Sequence, residues 1–435
     1  MGYLLTGATC LEPSPPKLFR ADVLTEGGSI VEVAPRISHA RGHEQIDFSG
    51  KILMPGNVCA HTHLYSSLAR GLPGPAMPPK DFVEILERIW WRLDRALDRE
   101  SIYVSALIGA LEAVRAGTTC LVDHHASPES ISGSLDLIAR AIEDVGLRGI
   151  LCYEITDRGG MERRDAGVDE TAEFLGKLQA NPSALIRGMV GGHASFTLSD
   201  ETLERGAALT QRFAAGFHVH AAEDAFDERD ARNRYGLSVI DRFARHGLLG
   251  PRTILAHGVH LSDDEIATAA GRGAWLVHNP RSNLNNSVGR ARAERFGNRA
   301  ALGTDGIGAD VFEESRFGFF RARESDRYAD AERYLAMASA GAQLASEAFG
   351  VQVGRMAKDS AADLIVLDYD PPTPLSEANL SWHWMFGLNA TFVESVMVNG
   401  RWIIRDRQFV SRDAARDLAR GREVARALWQ RVALL

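Results

Sequence analysis

From residue 54 to about 350 the chain alternates two patterns. Short, mostly apolar runs occur at residues 56–60, 120–123, 149–153, 186–190, 217–220, 253–257, 275–278 and 301–304. Strands buried on both faces read as such near-continuous apolar runs. Between them, over residues 101–116, 135–145, 171–178, 203–213, 239–245 and 263–272, apolar residues recur every three or four positions. That spacing lines one face of a helix. Strand–helix units repeated in this way predict an α/β fold, a (β/α)8 TIM barrel over residues 54–350.

The two chain ends carry a different pattern. Residues 3–6, 21–24 and 30–33 are short strand-like runs separated by Pro and Gly. The proline-rich stretch at 11–16 is expected to interrupt any ladder, because proline has no N–H to donate. Strand runs return at 361–367 and 393–398, either side of the prolines in 370–374. Asn399-Gly400 predicts a two-residue hairpin into 401–404. Residues 412–430 have helical spacing. The first 53 residues are too few to enclose a good core. The two ends, 1–53 and 351–435, are therefore expected to combine into one small discontinuous β-sandwich domain with a C-terminal helix.

Composition removes several classes of function. Of 435 residues, 45% are hydrophobic, an ordinary share for a globular protein with a large core. The net charge of −8 leaves no basic footprint for nucleic acid. No apolar run reaches the ~18 residues of a membrane span, and the N-terminus lacks the pattern of a secretory signal. Cys10, Cys59, Cys120 and Cys152 show no paired spacing, which fits a reducing compartment, and a cytoplasmic location is expected.

Chemistry-bearing side chains gather at the C-terminal ends of the predicted strands, where such barrels place their sites. Of 14 histidines, all but His39, His43, His246 and His383 fall there. The first run leads into His61-Thr62-His63, and residues two apart on a strand share a face. Two such imidazoles are half of a divalent-metal site. Later ends read Asp123-His124-His125, Gly191-Gly192-His193, His218-Val219-His220 with Glu223 beyond, His257 with His260 beyond, His278-Asn279-Pro280 and Thr304-Asp305-Gly306. His61, His63, a histidine of the fifth strand and Asp305 offer a nitrogen-and-oxygen donor set with room for water. A metal there lowers the pKa of water toward ~7. Glu223, three residues after His220, is placed to handle the proton. A single histidine of this kind is more often a hydrogen-bonded core residue; the arrangement over three strands carries the metal reading. Strand geometry does not choose between His218 and His220. His124 and His125 point to opposite faces, so one lines a pocket or both pack. Trp90-Trp91 and residues 317–320 read as helix packing before they read as walls for an aromatic substrate.

The series His-x-His, His-x-x-Glu, Ala-His-Gly, His-Asn-Pro-x-Ser-Asn and Gly-Thr-Asp-Gly resembles the amidohydrolase superfamily, on its aminohydrolase (deaminase) branch. The resemblance covers essentially the whole chain, split β domain included. Residues 61–70, 90–97, 123–127 and 283–289 look like the SsnA-type aminohydrolases, a group placed with s-triazine chlorohydrolases and with guanine and adenosine-type deaminases.

This resemblance implies one Zn2+, or Fe2+, held by His61, His63, His220 and Asp305. It implies that Glu223 carries a proton from the metal's water to the substrate, that His257 stabilises developing charge, and that Asp305 helps deprotonate the water. It places substrate contacts at His193, Asp94 and Arg70. It favours His220 over His218, and His257 over His260. Two-metal members of the superfamily use a lysine on the fourth strand; residues 186–196 contain none, so one metal is expected. A homodimer is the assembly implied at superfamily level.

These readings converge on a mononuclear metal-dependent aminohydrolase. Its expected substrate is a small nitrogen heterocycle of purine, pterin, pyrimidine or triazine type, with ammonia as a product. One rival keeps the metal site and changes the bond, to a cyclic or acyl amide or a carbon–halogen bond. Another keeps the fold as a non-catalytic scaffold. Chloride or a ring-opened acid as product separates the first, and a tightly held but inert metal marks the second.

Overall fold

The computed structural model describes residues 2–435. Its centre is a ring of parallel strands, Asn57–Thr62, Thr118–His125, Arg148–Ile155, Val190–Ala194, Phe217–Ala221, Thr253–His257, Trp275–His278 and Ala300–Leu302, each bonded to the next. The ring closes at the residues that carry the chemistry. Thr62 bridges Asp305, and the backbone N–H groups of Thr304 and Asp305 donate to the His61 carbonyl at 2.8 and 3.1 Å. Gly303 permits this seam, because a Cβ there would stand 2.7 Å from the His61 Cβ. This is the (β/α)8 barrel the alternation predicts, and helices cover it.

Alternate strand residues divide between two cores, as the period of two requires. Val58, Ala60, Val122, Ile150, Ile254 and Val277 form one buried cluster with Leu344 and Phe349 of the helix Ala331–Phe349. Leu121, Leu151, Val219, Leu255 and Leu276 belong to the larger cluster shared with the surrounding helices. Full burial of each such side chain contributes about 1.5–3 kcal/mol.

Two elements depart from the sequence expectation. The fourth strand is divided into Ile186–Gly188 and Val190–Ala194, so it reaches past residue 190 and carries His193 on its end. Gly191 allows this, since a Cβ would lie 2.2 Å from the Tyr153 carbonyl oxygen of the third strand. The helix expected at 171–178 runs from Met161 to Ala180. Its first half buries Arg164 and Glu170 in place of apolar residues, which hides the helical period. Glu170 accepts from the backbone N–H groups of Gly133 and Leu135.

Both chain ends contribute to the sheets outside the barrel. A four-stranded sheet is built from Gly2–Thr6, Asp22–Glu26, Ser29–Ala34 and Glu44–Asp47. A seven-stranded sheet joins Thr9–Pro13, Pro16–Arg20 and Ile52–Pro55 to Leu364–Leu367, Val393–Val398, Arg401–Arg405 and Gln408–Phe409. Leu5, Val23, Ile30, Leu53, Leu364 and Met397 fill the space between the two, with Trp402 edge-on to Tyr3 and Phe48. The proline-rich stretch at 11–16 does not interrupt pairing. It is the end of a hairpin in which Pro13 faces Pro16, so its prolines sit where a ladder N–H is dispensable. Asn399 and Gly400 both have positive φ, as their hairpin requires, and Val398 faces Arg401. The final helix, Ala414–Leu434, packs on the barrel helix Arg99–Arg115, and the Trp429 indole donates to the Leu68 carbonyl at 2.8 Å.

Candidate active site

At the C-terminal mouth of the barrel the structure brings together His61 and His63 of the first strand end, His220 of the fifth and Asp305 after the eighth. One donor atom from each lies within 4.8 Å of the others. His63 Nε2 is 2.9 Å from Asp305 Oδ1 and 3.1 Å from His220 Nε2. A register shift against the second strand falls between Cys59 and Thr62, so strand parity alone does not aim His61.

Hydrogen bonds behind the rings decide which nitrogen faces the centre. His63 Nδ1 donates to the His124 carbonyl at 2.5 Å, and His220 Nδ1 to the His193 carbonyl at 2.7 Å. A carbonyl can only accept, so in the neutral rings both Nε2 atoms present lone pairs. His61 Nδ1 lies 2.9 Å from His218 Nε2, while His61 Nε2 is buried with no hydrogen-bond partner. Facing lone pairs at these distances fit a cation held between them. Electrostatics agree. Burial lowers His61 to about 3 and takes His220 well below the usual imidazole range. Burial also opposes charge on His63, yet the Asp305 carboxylate prevails and raises it to about 9. The His61 and His63 imidazoles hold Asp305 well below the carboxylate range against its burial. The centre favours one positive charge, and three nitrogens with one carboxylate suit a divalent metal ion. Three other donor groups, His63–His124–Glu154, Glu154–His193–His220 and Glu223–His257–Asp305, each share His63, His220 or Asp305 with the first. They do not make an independent second site.

Glu223 and His257 flank this centre, 3.5 Å apart between Oε2 and Nε2. Glu223 Oε1 accepts from the Asn286 amide at 3.2 Å. Burial raises the Glu223 carboxyl, against the pull of His257. His257 has φ +77° and Asp305 φ +52°, a left-handed backbone that costs energy in residues other than glycine. His257 Nδ1 lies 2.8 Å from Asn283 Oδ1, which leaves its buried Nε2 turned toward Glu223. The Ser282 hydroxyl donates to Asp305 Oδ2.

Above the centre is a pocket whose lining includes His63, His220 and Asp305. Phe82, Leu86, Trp90, Trp91, Phe196 and Phe226 give it apolar walls, and a π-helical turn at Leu86–Trp90 sits in the wall segment. Trp90 and Trp91 therefore face the pocket, beyond the packing role expected of them. Phe317 and Phe320 are exposed and are not among its lining residues. His193 and Asp94 line the pocket. His193 Nδ1 is 2.7 Å from the Thr197 hydroxyl, and burial lowers its pKa to about 4. Asp94 pairs with Arg158, and burial raises it to about 6 against that cation. Arg70 is not brought to the pocket. Its exposed guanidinium makes a two-pronged pair with Glu112 at 2.6 and 2.8 Å in a neighbouring groove, because the chain turns outward after the short 3-10 helix Leu64–Ala69.

Sequence reasoning passed over Glu154, Arg158 and Asn286, whereas His218, set aside as a ligand in favour of His220, is expected in the core or behind the ligands. The signal was present for two of them: Glu154 follows Cys152 on one face of the third strand, and Asn286 lies in the same run as Asn283. His260 anchors a loop by its ring bond to the Val288 carbonyl at 2.7 Å.

Comparison with known proteins gives the following likenesses. The amidohydrolase family profile matches residues 52–403. The chain is 29% identical over 413 residues to a 5-methylthioadenosine/S-adenosylhomocysteine deaminase of Thermococcus sibiricus, covering 93% of this chain and 92% of that one. The fold resembles that of an adenosine deaminase from Xanthomonas campestris with bound zinc (TM-score 0.86, 24% identity, 100% and 99% of the chains covered). It also resembles an atrazine chlorohydrolase from Arthrobacter aurescens TC1 complexed with zinc (TM-score 0.82, 22% identity, 97% and 100% covered).

Proposed function

The chain belongs to the amidohydrolase family, and from that premise we propose that it is a mononuclear, zinc-dependent aminohydrolase that deaminates a nitrogen heterocycle by hydrolysis. The observation that carries the reading is the placement of Glu223. A buried carboxyl, raised in pKa, stands between His257 and Asn286 at the edge of a three-nitrogen, one-carboxylate centre.

His61, His63, His220 and Asp305 would hold the metal. Once bound, the metal makes water acidic enough to supply a hydroxide nucleophile near neutral pH. Glu223 would take one proton of that water and deliver it to the ring nitrogen beside the attacked carbon, then pass the second proton, from the hydroxyl left on that carbon, to the departing amine, so that ammonia leaves and the ring keeps a carbonyl. Its raised pKa suits a group that must both accept and release a proton near neutrality. His257, held by Asn283, turns Nε2 toward the attacked centre, where the ring would stabilise developing negative charge when Nε2 carries a proton. Asp305 is steadied by Ser282 and assists in deprotonating the water. His193 and Asp94 contact the substrate, and the aromatic walls hold a flat ring and exclude water. Arg70 braces the first loop through Glu112 and has no contact with substrate.

In this reading residues 54–350 are the catalytic unit, with 1–53 and 351–435 as the discontinuous β domain. No helix among the described residues is long and apolar enough to cross a membrane. The four free buried cysteines suit a reducing compartment such as the cytoplasm. The relative of Thermococcus sibiricus, named as a deaminase and similar along nearly the whole chain, favours carbon–nitrogen cleavage. The chlorohydrolase likeness keeps carbon–halogen hydrolysis as the second reading at the same centre.

The test is a panel of amino-substituted purines, pterins, pyrimidines and triazines incubated with zinc-loaded protein. Ammonia is expected. Chloride from halogenated rings, or a ring-opened acid without ammonia, would replace this reading with the second.

A further inference from the structure

The pocket has a one-sided charge. Its lining includes Asp94, Glu154, Glu223, Asp224, Asp227 and Asp305, and among the described residues that line it there is no lysine or arginine. Four of these carboxylates have duties already. Glu223 and Asp305 serve the reaction. Asp227 accepts from the backbone N–H groups of Phe196 and Ala222 at 3.1 and 2.9 Å. Asp224 caps the helix Ala225–Tyr235. Asp94 and Glu154 remain.

Both have acceptor capacity left over. Asp94 is 1% exposed and pairs with Arg158 through Oδ2, while its buried Oδ1 has no hydrogen-bond partner. Glu154 is 4% exposed. Its oxygens stand 3.4 Å from His124 Nδ1 and 3.6 Å from Arg158 Nη2, longer than ordinary hydrogen bonds. A carboxylate offers about four lone-pair sites, and leaving buried ones unfilled is costly. Arg158, shared by the two, stacks on Trp91 at 4.8 Å and does not line the pocket. No lysine or arginine of the lining answers these two carboxylates, and an arriving ring can bring N–H donors to them.

We propose that Glu154, together with Asp94, is the specificity-determining acceptor of this pocket: it selects an uncharged or cationic heterocycle that presents N–H donors, and it excludes rings bearing a carboxylate or phosphate. This rests on the deaminase reading and deepens it. Glu154 sits at the end of the third strand, paired in register with Gly191 of the fourth, two residues before His193. Its carboxylate lies within 4.8 Å of the donor atoms of His193 and His220. A ring seated over the centre therefore has one edge within reach of it. The aromatic walls fix the ring plane, and the two carboxylates read that edge. An anionic substituent on the ring edge away from the metal would meet these carboxylates, with no lysine or arginine in the lining to offset them.

The experiment uses the zinc-loaded full chain and matched pairs of substrates: adenosine with adenosine 5′-monophosphate, 5′-deoxyadenosine with adenosine 5′-carboxylic acid, and 2,6-diaminopurine with adenine. Ammonia release gives kcat and KM for each. The anion-bearing member of each of the first two pairs is expected to fall on the order of 100-fold in kcat/KM, and diaminopurine to exceed adenine. In Glu154→Gln, KM for diaminopurine is expected to rise roughly 10-fold with little change in kcat, and Glu154→Asp to recover part of that loss. Equal turnover within the charged pairs overturns this inference and leaves the deaminase reading standing. A fall in metal content or kcat alone in Glu154→Gln overturns it too, since that is the mark of a structural role. No ammonia from any ring overturns both. If neither variant folds, the wild-type pairs decide the matter alone.

Discussion

His218 Nε2 lies 2.9 Å from His61 Nδ1, and His218 is itself wholly buried and does not line the pocket. On its far side His218 Nδ1 is 3.7 Å from the Cys152 sulfur. If His61 Nδ1 carries the proton, its Nε2 is the lone pair turned to the centre, and His218 is what fixes that tautomer. His218→Ala is therefore expected to weaken metal binding by about 10- to 100-fold, the usual cost of removing such a support. Competition with a chelator measures it. Unchanged affinity would mean that the backbone seam at Thr304 and Asp305 orients His61 unaided.

Glu223→Gln keeps the shape of the side chain and removes its capacity to take a proton. Turnover is expected to fall by about 10²- to 10⁴-fold, with metal content unchanged. Loss of the metal in this variant would move Glu223 from proton carrier to ligand.

Chelation is expected to abolish activity and lower the melting temperature together, because a metal that binds the folded chain stabilises it by mass action. One equivalent of zinc should restore both, and a second equivalent should add nothing, since each of the other donor groups shares His63, His220 or Asp305 with the first. His63→Ala should not be restored by zinc. Two tightly held metals per chain would contradict the single centre.

Arg148, at the start of the third barrel strand, donates to both oxygens of Asp363 at 2.5 and 3.2 Å, and Asp363 also accepts from the Asn399 backbone at 2.7 Å. Both side chains are buried, 3% and 1% exposed, and they tie the barrel to the hairpin of the outer sheet. Asp363→Ala leaves the guanidinium buried without its counter-ion, so it is expected to destabilise the protein by about 3–5 kcal/mol. Denaturant unfolding gives the value. Replacing both residues by apolar ones of similar volume should cost less than either single change.

Cys10, Cys59, Cys120 and Cys152 are free and buried. Burial pushes Cys10 up to about 12 and raises the other three above the ordinary thiol value. Because the thiolate is the reactive form, a raised pKa means little thiolate at pH 8. A thiol reagent at pH 8 should label the native protein hardly at all, and all four cysteines after denaturation. Rapid labelling of a native thiol would reveal an opening that the folded core does not show.

Much of this protein is legible before folding is considered. The barrel follows from local alternation, because a strand covered on both faces and a helix with one apolar stripe leave different periods in the chain. Histidines cluster at strand ends because that mouth is where the barrel gathers side chains from several strands. The long helix Met161–Ala180 was half hidden, because Arg164 and Glu170 are buried through polar bonds that leave no apolar period. The hairpin at Pro13 and Pro16 was hidden because proline forbids a donor only where the ladder needs one.

What the sequence by itself determined is the set of residue types and their order: His61 and His63, His220 and Glu223, His257, Asp305. What only the tertiary structure decided is which atom of each faces which neighbour. That choice depends on contacts between residues far apart in the chain: His218 behind His61, the His124 carbonyl behind His63, Asn283 behind His257 and Ser282 behind Asp305. Placement of Arg70 outside the pocket and of Glu154 inside it was settled the same way. A strand's period fixes the face a side chain leaves from. The direction of a ring nitrogen, and the charge of a pocket, are sums over neighbours that only the closed barrel brings within a few ångströms.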